Sequence, residues 1–171
     1  YFEFGLFMSR REYKTINRRL QRGRLESVKE GKCAGNKSPY GYERVRIQGD
    51  RGFTLKIVPE QAAIVRKIYD WYVNGVDGKM VGAPNIARML HDMGVPSPAG
   101  NEYWSAATIK PKLQNPVYIG MVTWGRRAQQ KSVQDGVVTI TRPRLKEYDT
   151  YKGLHEPIID QETFDAAQKR R

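Results

Sequence analysis

Ile109-Lys110-Pro111-Lys112-Leu113-Gln114-Asn115-Pro116-Val117-Tyr118-Ile119-Gly120 is the stretch on which the reading of this chain turns. Leu113 closes an apolar helical pattern, and Asn115-Pro116 stops it, because the residue before a proline is pushed out of the helical region. The apolar run Val117–Trp124 then reads as a strand. Upstream, Trp104 and a Pro/Gly-rich turn over 95–103 separate this helix (Ser105 to Gln114) from an earlier one over Pro84–Met93, with Ile86, Met89 and Leu90 inward and Gly94 just past its end. Two short helices around a turn have the outline of a helix-turn-helix, although the connection is longer than the usual three or four residues. Pro111 is awkward inside the second helix. Either that helix starts at Ser105 and is kinked, or it starts near Thr108 with Pro111 in its first turn.

Working outward, Pro59-Glu60 opens a helix whose face is Ile64, Val65, Ile68, Tyr69 and Tyr72, ended by Asn74-Gly75. Val45 and Ile47 face Phe53, Leu55 and Ile57 across Gly49-Asp50-Arg51-Gly52, a hairpin signature. Strands are expected at Val137–Thr141 and His155–Ile159, and a last helix from Gln161. From Leu6 to Glu30 the pattern is helical with only a thin apolar stripe of Tyr13, Ile16, Leu20, Leu25 and Val28, which suits a projecting helix of about 38 Å better than a core one. Ser9-x-x-Glu12 would start it late as a capping box; the alternative is continuation from further upstream. The expected fold is α+β: a long projecting basic helix, then a compact, mostly helical domain with a helix-turn-helix-like unit and a small antiparallel sheet.

Charge points to the partner. The net charge is +12 with a pI near 9.9, and residues 1–46 hold 12 Lys/Arg against 5 Asp/Glu, an excess of 7 of the 12. A polyanion is implied, nucleic acid before an anionic membrane, since no run of about 18 apolar residues exists. The single cysteine, Cys33, excludes an internal disulfide and a Cys-Cys zinc site. No secretory signal is seen, and a cytoplasmic protein of bacterial or phage origin is expected. His91 and His155 stand in no metal-ligand spacing, Glu60, Asp70 and Asp77 are too scattered for a paired-carboxylate site, and Ser9 has no base beside it. No metal, cofactor or catalytic residue is expected; this stretch is not where bonds are broken.

Candidate DNA contacts fall into two groups. Arg18, Arg19, Arg22, Arg24 and Lys29 on the first helix, with Lys32, Lys37, Tyr40 and Tyr42 in the following basic loop, would track a phosphate backbone and enter a minor groove. Ser105, Thr108, Lys110 and Lys112 on the second helix of the pair, with Gln114, would face bases and phosphates of a major groove. Asn115, Arg126 and Arg127 complete the set. The plainer alternatives are a solvated helix face for the first group and two packed helices of an ordinary α+β domain for the second.

The ordered set resembles the DNA-binding "recombinase" domain of the large serine recombinases, the phage integrases and transposon resolvases. Glu12-x-x-x-Ile16-x-x-Arg19-x-x-x-Gly23 is similar to the end of the long helix leaving their catalytic domain, and Gly31, Gly35 and Pro39-Tyr40-Gly41-Tyr42 to the linker. Pro59 to Gly75, then Ile86-Ala87-x-x-Leu90, Gly94-Val95, Gly100, Trp104 and Ile109 to Gly120 match successive units, and His155-x-Pro157-Ile158-Ile159 with Phe164 the closing strand and helix. Pro111 and Met89-Leu90-His91 depart from the pattern. The resemblance implies three parts: 1–31 as the end of the catalytic-domain helix, 32–42 as a basic linker, and 43–171 as the DNA-binding domain. It also implies a parent that binds attachment-site DNA as homodimers, synapses as a tetramer and exchanges strands through a serine, with that serine upstream and a zinc ribbon downstream of this stretch. The stretch alone would then be inactive. A non-catalytic transcription regulator or architectural protein is the alternative from another class, and an RNA-binding protein a third.

Overall fold

The computed structural model describes residues 2–126, 130–134, 137–141, 143, 145 and 147–171. Helix α1 (Phe2–Lys29) is already formed at Ser9, so no capping box starts it there. From Arg11 onward its surface is exposed, apart from the partly covered Asn17, until Leu25 turns partly inward and Val28 is buried. The helix is thus held by its last turns alone. It closes with Lys32 N–H donating to Ser27 O at 2.9 Å and Gly31 N–H to Val28 O at 2.9 Å.

Hairpin strands β1 (Tyr42–Arg46) and β2 (Phe53–Ile57) pair antiparallel with Arg44 opposite Leu55. Helix α2 (Pro59–Asn74) follows, with proline at its start, and buries Ala62, Val65, Ile68 and Tyr69. Helix α3 (Ala83–Asp92) and helix α4 (Ala106–Leu113) form the paired unit. A 3-10 turn (Pro116–Ile119) leads into β3 (Met121–Trp124), which pairs antiparallel with β6 (Asp149–Lys152). Strands β4 (Gln130–Gln134) and β5 (Val137–Thr141) make a separate hairpin, and α5 (Gln161–Arg170) packs on α2. Helices and antiparallel strands together give the α+β class, with the described strands in three two-stranded ladders.

The core gathers around three tyrosines. Tyr69 and Tyr118 are almost wholly buried, and Tyr42 lies 2% exposed beside them. A buried phenol must find an acceptor. Tyr118 donates to Tyr40 O at 2.8 Å, Tyr69 to Lys112 O at 2.9 Å, and Tyr42 to Glu156 O at 2.8 Å. Each bond joins segments far apart in sequence, so the rings both fill the core and fix its chain crossings. Burial drives all three phenols upward, Tyr42 to about 12.

Two local expectations are corrected and one open choice is resolved. The strand expected over Val117–Trp124 starts only at Met121, because Asn115 accepts from Val117 N–H and Pro116 begins a tight turn ending at Gly120. His155–Ile159 makes no ladder: Pro157 has no N–H, and the amides of Ile158 and Ile159 both donate to Tyr118 O at 2.9 Å. These residues fold onto the 3-10 turn instead. For the second helix, Ser105 is the N-cap, so Pro111 sits inside α4 rather than in its first turn.

Candidate nucleic-acid interface

Helix α4 owes its position to the turn before it. The connection over 93–105 is ordered by its own bonds: Trp104 Nε1–H donates to Val95 O at 2.9 Å, and Asn101 N–H to Ser97 Oγ at 3.1 Å. That explains how so long a connection still delivers a second helix in register. Ser105 Oγ accepts from Thr108 N–H at 3.2 Å and lies 2.9 Å from Thr108 Oγ1, a cap that occupies both hydroxyls. Ile109 and Leu113 bury the inner face. Ala107 and Lys110 are left exposed, with Gln114 half-buried one turn on.

Lys112 lies elsewhere. Its Nζ is 5.2 Å from the Trp104 ring centroid and 5.5 Å from that of Tyr40, and it donates to Thr108 O at 3.2 Å. Burial pushes this ammonium down to about 8. Tyr40 itself is half-buried, edge-on to Trp104 with centroids 5.3 Å apart.

On α1, Arg18, Arg19, Arg22 and Arg24 are exposed and make no ion pair among the described residues. Lys29 is exposed but bridges Glu26 at 3.0 Å. Lys37 is exposed in the loop. Lys32 is not a free cation. It is 7% exposed, and its Nζ meets Glu30 at 2.6 Å and Asp50 at 2.8 Å, first Asp50 and then Glu30 holding it above the ordinary lysine value. Tyr42 is likewise corrected from a loop contact to a core residue, stacked on Tyr118 and edge-on to His155. Asn115 spends its side chain capping the 3-10 turn. Arg126 is half-buried over Tyr148 at 5.6 Å, and Arg127 lies outside the described residues.

The structure therefore splits the sixteen sequence candidates. Arg18, Arg19, Arg22, Arg24, Lys37 and Lys110 present charge to solvent, with Lys29 exposed but paired to Glu26; Lys32, Tyr42, Asn115, Ser105 and Thr108 serve the fold; Tyr40 and Lys112 meet in one aromatic box, Arg126 lies over Tyr148, and Arg127 is outside the described residues. Sequence reasoning missed Arg44, whose guanidinium lies 3.4 Å from the Phe53 ring centroid with a buried Nε that has no hydrogen-bond partner. The antiparallel register was the available signal, since it sets Arg46 opposite Phe53 with Arg44 on the same face.

His155 is buried, and its Nε2–H donates to Val117 O at 2.8 Å, which leaves Nδ1 unprotonated; burial lowers its basicity. Among the described residues no group of His, Cys, Asp or Glu is arranged to hold a metal ion, and no helix is long and apolar enough to cross a membrane.

Comparison with known proteins is consistent with this architecture. A Bacillus subtilis (strain 168) protein whose name carries the words DNA recombinase is 27% identical over 157 residues, which is 90% of this chain and 30% of that protein. The chain thus spans about a third of the length of this curated relative. A crystal structure of a complex between a large serine recombinase and DNA aligns over 89% of this chain and 38% of its own, with a TM-score of 0.56 at 22% identity. A structure from work on the sequence requirements of the Listeria innocua prophage attP site aligns over 89% of this chain and 50% of its own, with a TM-score of 0.54 at 22% identity. At such identity these two speak for the fold. Residues 59–171, about two thirds of the chain and including both helices of the paired unit, match the Recombinase family, and the chain belongs to that family.

Proposed function

We propose that this chain is the duplex-DNA-binding part of a large serine recombinase, recognising an attachment site for integration or excision by strand exchange. The observation that carries the reading is the exposed set Arg18, Arg19, Arg22 and Arg24, without an ion pair among the described residues, on the part of α1 that precedes its buried last turn. A basic surface without matching carboxylates is stabilised by a polyanion and by little else. The division of labour follows from chemistry. The cations of α1 and Lys37 position the protein on phosphates, while the exposed face of α4, with Lys110 and Gln114, reads base edges. The three-part division at 31 and 42, homodimers on each site and a synaptic tetramer belong to the same proposal, as does a serine nucleophile supplied by the parent. Both named structural neighbours, one a DNA complex and one concerned with an attP site, support it by analogy of fold.

The test is equilibrium binding of the chain to duplex DNA from 50 to 200 mM salt. If about six phosphates are neutralised, the log–log slope is near −5. A slope near zero removes the proposal. Incubation of the chain with attachment-site DNA gives no covalent adduct on a denaturing gel; an adduct abolished by replacing a serine within these residues would place the chemistry here.

A further inference from the structure

Lys112 was expected among the DNA contacts, and its surroundings assign it a different task. The segment before β1 is pinned to the domain at its end. Tyr40 O accepts from the Tyr118 phenol at 2.8 Å, Gly41 N–H donates to Gln61 Oε1 at 2.9 Å, and Gly41 O accepts from Val58 N–H at 3.0 Å. Gly41 has φ +100°, and a Cβ there would meet Ile158 Cδ1 at 2.9 Å, so the chain passes close against the core. The main chain of 39–42 is therefore fixed from α2 and the 3-10 turn. The side chain of Tyr40 lies against Trp104, just before the N-cap of α4, and Lys112, in the last turn of α4.

We propose that Lys112 is a positioning residue acting through Tyr40: its ammonium, held beside the Tyr40 and Trp104 rings, clamps the end of segment 32–42 to α4, so that loop and helix address DNA as one unit. This rests on the DNA-binding reading above. Three observations carry it. The Nζ faces both rings within 5.5 Å, a distance at which a cation is attracted to the ring faces. Its remaining described hydrogen bond is to Thr108 O, so it also satisfies a carbonyl of its own helix. The neighbouring cation of the same helix, Lys110, is fully exposed and makes none of these contacts, which supplies an internal control. The lowered basicity of Lys112 agrees with a cation withdrawn from water.

The test compares Lys112→Met, Lys112→Arg and Lys110→Ala. Lys112→Met keeps the apolar stem and loses the charge; we expect affinity for duplex DNA to fall about tenfold with the log–log salt slope unchanged, since no phosphate contact is lost. Hydroxyl-radical footprints should lose protection where the 32–42 segment lies and keep it where α4 lies. Lys112→Arg should restore both, because a guanidinium also stacks on aromatic faces. Lys110→Ala should instead relax the preference at one base pair with both footprints kept. A Lys112→Met slope that drops by about one with an intact footprint makes Lys112 a phosphate contact and overturns the proposal. Loss without rescue by arginine, together with a lower melting temperature, makes it a folding residue only, and also overturns it. A DNA-free arm separates this from the wider reading: trypsin should cut after Lys37 faster in Lys112→Met and in Tyr40→Leu than in the parent chain. Unchanged cutting rates in both variants sink the clamp even if DNA binding stands. Faster cutting in a chain that binds no DNA keeps the clamp and sinks the DNA reading.

Discussion

Helices α1 and α4 are both basic, yet their cations do different work. In α1 the arginines from Arg18 to Arg24 are exposed and make no ion pair among the described residues, and the helix turns inward at Leu25 and Val28. In α4 most polar groups are already engaged: Ser105 and Thr108 cap the helix, Lys112 lies in the aromatic box, and Lys110 alone is an exposed cation. A charge count treats these lysines and arginines alike. Position relative to the core separates those surplus to folding from those the fold has absorbed.

The sharpest way to break that contrast is to strip α1. Replacing Arg18, Arg19, Arg22 and Arg24 together by alanine should cut the magnitude of the log–log salt slope by about three to four and DNA affinity near 0.1 M salt by about three to four orders of magnitude. Stability should change by less than about 0.5 kcal/mol, measured by urea unfolding. Lower stability with an unchanged slope would reverse the assignment.

Next in size is the pair Lys37, exposed in the loop, and Tyr42, buried at the start of β1 where that loop ends. Tyr42→Ala should cost about 3–5 kcal/mol of stability through the lost ring and its bonds to Glu156 and Val117 carbonyls. Lys37→Ala should leave stability within about 0.5 kcal/mol and weaken DNA binding modestly. Equal effects on stability would show that burial does not divide the loop.

Smaller still is the reading of bases. Lys110→Ala should lose about 1–3 kcal/mol of discrimination at one base pair, while Arg22→Ala should weaken all sequences about equally. Competition binding against half-sites varied at each base pair checks this. The reverse pattern would mean that α1 reads and α4 merely positions.

The mildest effect is on pH. Burial lowers the pKa of His155, so as pH falls the unfolded chain takes the proton first and stability is lost from about pH 6.5 downward. The carboxylates of Asp160, held down by the Thr163 amide, and Asp50, held down by Lys32, give up their contribution only in more acidic solution, below about pH 4. Melting temperatures between pH 7.5 and 5 should therefore fall less for His155→Gln than for the parent chain.

How far the sequence carried these distinctions depends on range. Helices α2 and α3 were legible because their signals are local: Pro59-Glu60, Asn74-Gly75 and Gly94 lie at the ends they mark. The opposed fates of Lys110 and Lys112 were half legible. Two residues apart on a helix point some 200° apart, so one of them had to leave the outer face. The aromatic pair that receives Lys112 comes from Tyr40, far upstream, and no helical period reports that. Lys32 was misread for the same reason, since its partner Asp50 arrives through the hairpin turn. The apolar run at His155–Ile159 looked like a strand because side-chain pattern does not reveal that its amides are taken by Tyr118.

The junction after α1 has a mechanical consequence. Gly31 has φ +81°; a Cβ there would lie 2.6 Å from Lys152 O, and its own carbonyl accepts from Leu154 N–H at 3.0 Å, so this glycine, with the buried Val28 before it, seats the end of α1 against β3 and β6. The part of α1 before Leu25 is a lever arm of about 35 Å, and a rotation of about 10° at this fulcrum sweeps the far end through about 6 Å, close to two base-pair steps. A side chain at Gly31 would strain this junction and, by shifting the backbone it meets, change the aim of α1.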